Sequence, residues 1–360
     1  MKSIINFAGP DGPAVRFVDI PIPEPTDDQV LIKVVVAGAN PKDWKGPEYV
    51  AAGNIISPIL EGAIEPLNQG DDIAGIVEKV GKNVVEFKPG DRVAAFHEMY
   101  TPKGAYAEYA IAWSHTTFHL PSHTSFEEAA TLPLAALTVA VSLYANHRFP
   151  PPWLPATAPT PFIIYGASSA VGSFAIKFAR NSNIHPIIAI AGKGSGYVES
   201  ILEKDKGDVV IDYRNGVEAT IAAIKANLAK AGQDAAYHAL DAAMVPESAE
   251  VLRRTVAPGG NIDFVLPHDG IDVSPAIKSM TSVGSVHNMR GFEHNAELGF
   301  VFSRYLTRAL QDGTLTGHPY EVRSGGLEGV EGALRDLREG KASACKYVFR
   351  IADTPGVKKE

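Results

Sequence analysis

The sequence predicts an α/β chain of two domains, one all-β and barrel-like, the other a doubly wound parallel sheet. Three observations carry that expectation. Roughly the first 125 residues are short β-branched runs punctuated by Gly and Pro. From Phe162 onward, short apolar strands alternate with amphipathic helices. A loop of small residues, GASSAVG, joins the first of those strands to the first of those helices. The length of 360 residues accommodates two domains at roughly 150 residues each.

Taken in order, VLIKVVVAG from Val30, DIAGIVEKVG from Asp72, DRVAAF from Asp91 and AYAEYAIA from Ala105 read as strands, with a tight turn at Pro89-Gly90. SFEEAATLPLAALTVAVSLY reads as a helix. Ser125 and Glu128 form a capping pair at its start, and Pro133 kinks it early. RFPPPWLPATAPTPF is too rich in proline for helix or central strand and reads as a stiff loop or strap. FIIYG, HPIIAIAG, DVVIDYR, AAYHALDAA and GGNIDFVL follow as strands. VGSFAIKFARNS, GVEATIAAIKANLAKAG and PESAEVLRRTV are the helices between them. After about Ser282 come an amphipathic helix near Asn295–Gln311, a second in GGLEGVEGALRDLREG and a last strand, KYVFRIA.

Composition narrows the function classes. Apolar residues are 45% and charged residues 21%, a globular balance. Lys plus Arg number 33 against 41 Asp plus Glu, a net charge of −8 that disfavours nucleic acid as a partner. There is no apolar run long enough for a membrane span and no signal-type core at the N-terminus, so a cytoplasmic protein is expected. Cys345 is the only cysteine, which removes intrachain disulfides and multi-cysteine zinc sites; it reads as a packing residue.

The chemistry concentrates in FIIYGASSAVGSFAIKFAR. Gly166 ends a buried strand and Gly172 opens a helix, with Ala167, Ser168, Ser169, Ala170 and Val171 between them. A pyrophosphate needs close approach to backbone N–H groups at a helix start, and small side chains leave that room. The next strand selects the dinucleotide. NAD sites place an acid at its end, whereas this chain has Gly192, Lys193 and Ser195 there and no acid until Glu199. A cation and a hydroxyl suit a 2′-phosphate, Tyr213 at the third strand can close over the adenine ribose, and Leu266 at the end of GGNIDFVL completes the set. NADPH is the expected cofactor.

No metal site is expected. His115, His119 and His123 have helical metal-ligand spacing, but Pro121 and the surrounding AIAWSHTTFHLPSH read as strand and loop. Tyr197 lacks a lysine four residues on, so the pair of the short-chain reductases is missing.

The order of AGANPKDWK, GDDIAGIVEKVG, FKPGDRV, GAYAEY, EEAATLPLAALTVAVSLY, GASSAVG, DYR, ALDAAMVPESAEVLRRTVAPGG and GKASACKYVFRI resembles the zinc-free quinone and enoyl reductase branch of the medium-chain dehydrogenase/reductases, over essentially the whole chain. NPKDWK and DYR look most like fungal enoyl reductases that serve polyketide synthases. The resemblance implies a GroES-like catalytic domain in two parts, 1–125 and 283–360, around a Rossmann domain at 126–282. Zinc relatives carry a cysteine where Asn40 stands and Gly-His-Glu where Gly70-Asp71-Asp72 stands. By the same resemblance Asn40, Asp43 and Lys45 line the catalytic cleft, Thr138 points at it, and Lys45 matches a proton-donating or substrate-orienting position. Tyr49 is near a catalytic tyrosine of some mitochondrial-type reductases, about one residue out of register. The stretch from Lys45 to Gly70 is longer than usual for the family, and loops beside a site carry specificity.

The expected activity is reduction of the activated C=C bond of an α,β-unsaturated carbonyl, enoyl thioester or quinone. The alternatives are carbonyl reduction on the same fold, a stand-alone partner of a polyketide synthase, and a nucleotide-binding protein without turnover. A monomer or a homodimer is compatible, with the edge near GGNIDFVLP as the pairing strand.

Overall fold

The structure is a computed structural model that describes residues 1–53, 67–266, 270–288 and 294–358. They divide into two compact units, Met1–Leu137 with Gly284–Glu360, and Thr138–Val283. The stretch 54–66, most of the long connection noted between Lys45 and Gly70, lies outside the described residues.

In the first unit, β1 (Lys2–Gly9) and β2 (Gly12–Asp19) form a hairpin. The main sheet uses β3 (Gln29–Gly38), β4 (Asp72–Val80), β5 (Arg92–Phe96), β6 (Tyr109–Trp113), β7 (Thr117–His119), β14 (Tyr320–Val322) and β15 (Lys346–Arg350). Its order is β14-β15-β3-β4-β5-β7, with β6 also paired to β3. The sequence VLIKVVVAG is almost continuously apolar because β3 is covered on both faces and pairs with three strands. Ile4, Ile32, Val34, Ile73, Tyr106, Phe349 and Leu334 fill the core. Four helices among the described residues belong here: α1 (Lys42–Ala51) after β3, α2 (Phe126–Ala129), and, after the second unit, α8 (Ala296–Gln311) and α9 (Gly329–Arg338).

The helix expected from Ser125 is two helices. The Ser125 hydroxyl accepts from the Glu128 N–H at 3.1 Å, but the Glu128 carboxylate turns to the Gly317 N–H at 2.8 Å, so half of the capping pair forms. After α2 the chain turns, and α3 (Pro133–Ala140) starts on its proline, where the missing N–H is harmless. The N-terminal part therefore runs to Leu137 rather than to residue 125.

The second unit holds β8 (Phe162–Tyr165), β9 (Ile187–Ala191), β10 (Val209–Asp212), β11 (Ala236–Asp241), β12 (Val256–Phe264) and β13 (Ile277–Met280), all parallel, in the order β10-β9-β8-β11-β12-β13. The sheet is wound outward in both directions from β8 and β11, as the strand–helix alternation requires. Its helices are α4 (Ala170–Asn181), α5 (Ser195–Ser200), α6 (Val217–Lys230) and α7 (Pro246–Arg253). Ile163, Ile188, Ile190, Ile221, Ile224, Leu252 and Phe264 form part of its core. The proline-rich stretch is a loop of this unit: Ala156 N–H donates to Ser182 O at 2.8 Å and Thr160 N–H to His185 O at 2.7 Å.

Two polar clusters fix the far half of this sheet. α3 runs on as a π-helical turn, Val141–Asn146. The buried Asp263 carboxylate at the end of β12 accepts from Ser142, Asn146, Ser279 and Thr281 at 2.5–2.9 Å. At the other end of the strands, His147 is 5% exposed, stacks on Phe149, and has its Nδ1 3.3 Å from Nδ1 of His238. Burial pushes the His147 pKa down to about 3. The unfolded chain therefore binds a proton that the folded chain refuses, and stability falls as pH drops below about 6.5. Unfolding in urea at pH 7.5 and pH 5 should show a pH-dependent loss that is smaller by about 1–2 kcal/mol in His147→Phe. Equal losses in the two proteins would remove His147 from that account.

Candidate active site and cofactor loop

β3 ends at Gly38, and the chain enters α1 through Ala39, Asn40 and Pro41. Ala39 N–H donates to Tyr347 O of β15 at 2.9 Å, and Asn40 N–H donates to the Asp43 carboxylate at 2.8 Å. These bonds place the first turn of α1 over the end of β4, which begins at Asp72.

A buried ionic network forms at that junction. Asp72 is fully buried; its Oδ1 accepts from Leu134 N–H at 2.7 Å, and its Oδ2 from Asn40 Nδ2 at 2.7 Å and Lys346 Nζ at 2.5 Å. Lys346 Nζ also donates to Asn40 Oδ1 at 2.8 Å, so both ends of the Asn40 amide are engaged. Beside this triad, Lys42 Nζ is 2.5 Å from Asp71 and 3.4 Å from Asp43, and donates to Gln69 O at 2.8 Å. Tyr106 OH donates to Asp43 Oδ2 at 2.6 Å.

Two lysines face three aspartates here, which leaves one negative charge without a cation. Burial, opposed by Lys42, holds the pKa of Asp43 and of Asp71 above the ordinary carboxylate value. Burial also opposes the Lys42 ammonium, but Asp71 and Asp43 outweigh it and keep Lys42 charged. The arrangement is electrically balanced when the Asp43–Asp71 pair retains one proton. Burial and the adjoining Asp43 raise the Tyr106 phenol well above its usual value, so it stays a neutral donor.

Of the residues expected from sequence to be catalytic, Asn40 and Asp43 are inside this network. Lys45 and Tyr49 are one turn apart on α1. Lys45 is partly buried, lies 5.6 Å from the Trp44 ring centroid, and has no carboxylate partner among the described residues. Burial lowers its pKa below the ordinary lysine value. Tyr49 is 40% exposed. Thr138 is buried on α3 and belongs to the other unit. Sequence reading missed Lys42, Asp71, Asp72, Tyr106 and Lys346 as members of the network. A charged residue opening the apolar strand KYVFR, and two adjacent acids opening DIAGIV, were the available signals.

In the second unit, the candidate cofactor residues collect at the C-terminal ends of β8, β9 and β10. Gly166 has φ 79°, a left-handed conformation, and a Cβ at Gly172 would lie 2.3 Å from Gly166 O. Ser169 caps α4 by accepting from Gly172 N–H at 3.0 Å, which leaves Ala170 and Val171 in its first turn. Ser168 stands beside this cap, partly buried. Lys193 is exposed just after Gly192, with no ion-pair partner among the described residues. The Ser195 hydroxyl donates to Gly192 O at 2.6 Å, closing the turn rather than pointing a free donor outward. Tyr213 is 44% exposed with its ring 6.0 Å from Tyr165, and Leu266 follows the end of β12, partly buried. The acid that ends β10, Asp212, is paired to Arg214. Asp241, unmarked from sequence, accepts from Ala243 and Met244 N–H and from Ser248, and shapes the loop facing Gly166. A closely turned backbone at the start of α4 fits a dinucleotide pyrophosphate.

The three histidines at helical spacing do not converge. His115 meets Val286 O, His119 meets Glu86 O and His123 meets Leu310 O. Among the described residues no helix is long and apolar enough to cross a membrane.

Comparison with known proteins agrees with this architecture. Residues 26–122 match the alcohol dehydrogenase GroES-like domain. The trans-enoyl reductase fsr4 of Gibberella fujikuroi is 45% identical over 326 residues, covering 88% of this chain and 90% of that protein. The trans-enoyl reductase resD of Aspergillus sclerotiorum is 32% identical over 98% of this chain and 100% of its own length. Among solved structures, a putative zinc-dependent alcohol dehydrogenase from Rhizobium etli aligns with a TM-score of 0.77 at 22% identity, covering 97% of this chain and 98% of that one. The CurK enoyl reductase aligns with a TM-score of 0.73 at 19% identity, covering 96% and 98%. These two establish likeness of fold.

The network makes a stability prediction. Lys346→Met leaves Asp72 buried beside no cation and should cost about 3–5 kcal/mol in denaturant unfolding. Adding Asp72→Asn removes the stranded charge while keeping an acceptor for Leu134 N–H, and should recover more than half of that loss. A Lys346→Met cost within about 1 kcal/mol would mean that the pair behaves like a surface ion pair.

Proposed function

The chain belongs to the trans-enoyl reductases, within the enoyl and quinone reductase branch of the medium-chain dehydrogenase/reductases, and from that premise we propose that it is a zinc-independent NADPH oxidoreductase that reduces the activated C=C bond of an enoyl thioester, enone or quinone. The observation that carries the proposal is the closed bonding of Asn40, Asp72 and Lys346. By resemblance, Asn40 stands where zinc relatives carry a cysteine and Asp72 within their Gly-His-Glu triplet, and here the Lys346 ammonium satisfies both side chains. Zinc does not fit a donor set already bonded to a buried cation.

The bound nicotinamide would supply hydride to the β-carbon of the substrate. Gly166, Ser168, Ser169, Ala170, Val171 and Gly172 would receive its pyrophosphate against the start of α4, with Gly192, Tyr213 and Leu266 along the remainder. Lys193 would pair with the 2′-phosphate, and Ser195 would hold the turn that carries it. Hydride addition moves the π electrons to the carbonyl oxygen, and the enolate then needs a proton at the α-carbon. Lys45 suits that role. Its depressed pKa makes the ammonium a better acid, while no carboxylate among the described residues ties it down. Asn40 and Asp43, being internally bonded, would set the start of α1 and so the position of Lys45.

Carbonyl reduction is the second reading, and product analysis separates the two: a C=C reductase leaves the C=O intact. The likeness to trans-enoyl reductases also favours a polyketide synthase as the source of substrate. A carrier-bound enoyl thioester should then turn over faster than the free thioester.

Two measurements test the reading. Purified protein should oxidise NADPH with at least one member of a panel of enoyl thioesters, enones and quinones. Lys45→Ala should lower kcat by about 10²–10⁴, and the wild-type rate should fall as pH rises through the Lys45 pKa, because the ammonium is the active form. No oxidation with any panel member sinks the assignment. Lys193→Glu should weaken NADPH binding by about 10–100-fold, the loss of a charge-assisted bond worth roughly 1.5–3 kcal/mol, with little change for NADH. Equal effects on both cofactors would place the 2′-phosphate elsewhere.

A further inference from the structure

We propose that Tyr100, which neither the family resemblance nor the motif reading singled out, is a further catalytic residue whose hydroxyl donates a hydrogen bond to the carbonyl oxygen of the substrate. The proposal rests on the enone-reductase reading above and supplies the oxyanion donor which that reading leaves open.

Four observations converge. First, Tyr100 has φ 60°. An aromatic residue in the left-handed region costs of order 1–3 kcal/mol and persists where its surroundings hold it, most often at functional sites. Second, its surroundings do hold it. The Lys42 ammonium sits 5.2 Å from the ring centroid, and a Cβ built on Gly46 would be 3.0 Å from Cε1 and 3.5 Å from the hydroxyl oxygen. Only a glycine at position 46 lets the phenol lie so close against α1. Third, the hydroxyl has no hydrogen-bond partner among the described residues, in contrast to Tyr106, whose hydroxyl is committed to Asp43. Fourth, the ring lies along the face of α1 that carries Lys42 and Gly46, and Tyr49, one turn beyond Lys45, is close enough to influence its ionisation.

The chemistry is consistent with that placement. Hydride arrival forms the β C–H bond and drives the π pair onto the carbonyl oxygen. Tyr100 donates a hydrogen bond to that oxygen and keeps its own proton. As the enolate collapses, the α-carbon takes the proton of Lys45, which solvent replaces. Burial raises the Tyr100 pKa, so the phenol stays protonated at neutral pH. The nearby Lys42 charge favours negative charge developing beside it. Lys42 is itself held by Asp71 and Asp43, so the buried network reaches the substrate through Tyr100.

Tyr100→Phe removes only the hydroxyl and keeps the ring clamped. With NADPH and the N-acetylcysteamine thioester of crotonate, or an enone if that is the better substrate, kcat should fall by about 10²-fold or more. KM for NADPH and the urea midpoint should be unchanged. Gly46→Ala, which pushes the hydroxyl away while leaving it present, should lower kcat in the same direction. Wild-type turnover with a Tyr100→Phe kcat within twofold overturns the Tyr100 assignment and leaves the reductase reading standing. Wild-type inactivity toward every activated alkene overturns both.

Discussion

The barrel unit is organised around a buried ion pair between Lys346 and Asp72, closed by the Asn40 amide. Neither charge has an alternative partner of opposite sign in the triad, and both are essentially removed from water. Each therefore requires the other, and the three segments that carry them must meet: the start of α1, the start of β4 and the start of β15. The same aspartate takes the Leu134 N–H, which ties in the first turn of α3. One carboxylate thus joins four pieces of chain. A buried pair of this kind contributes little net stability, but it penalises every arrangement in which its members separate.

The setting of α1 depends on that constraint. Asn40 is anchored at both amide ends, so α1 leaves β3 in one direction, and Lys45, Tyr49 and Gly46 are presented from a fixed helix. The neighbouring Lys42, Asp71, Asp43 and Tyr106 form a second layer with a charge imbalance of one, which a retained proton relieves. Two ammonium groups, of Lys42 and Lys346, meet these carboxylates on long side chains supplied by α1 and β15.

Much of the architecture was legible in the sequence because it depends on neighbours in the chain. The alternation from FIIYG onward and the glycines around GASSAVG are local requirements of backbone and period, and the parallel sheet follows from them. The same locality explains the errors. The helix after Ser125 reads as continuous because its apolar pattern continues through Pro133, whereas Glu128 is drawn off by Gly317, far along the chain. Ser195 reads as a phosphate ligand by composition, yet its hydroxyl closes its own turn.

The sequence by itself determined the two-domain α/β class, the small-residue loop for a dinucleotide, the lack of an acid after the second strand and the lack of cysteine ligands for zinc. Only the tertiary structure decided what the Asn40 amide and the Asp72 carboxylate bond to, because Asp72 and Lys346 are 274 residues apart and each looks, in its own strand, like an isolated charge. Tyr100 was invisible for a related reason. Its importance comes from a left-handed backbone, a lysine on one side of its ring and a glycine on a helix against its edge, and no spacing in the sequence records that those three meet. Bonds between near neighbours leave a period in the sequence; a buried charge or a clamped ring is satisfied across the fold and leaves none.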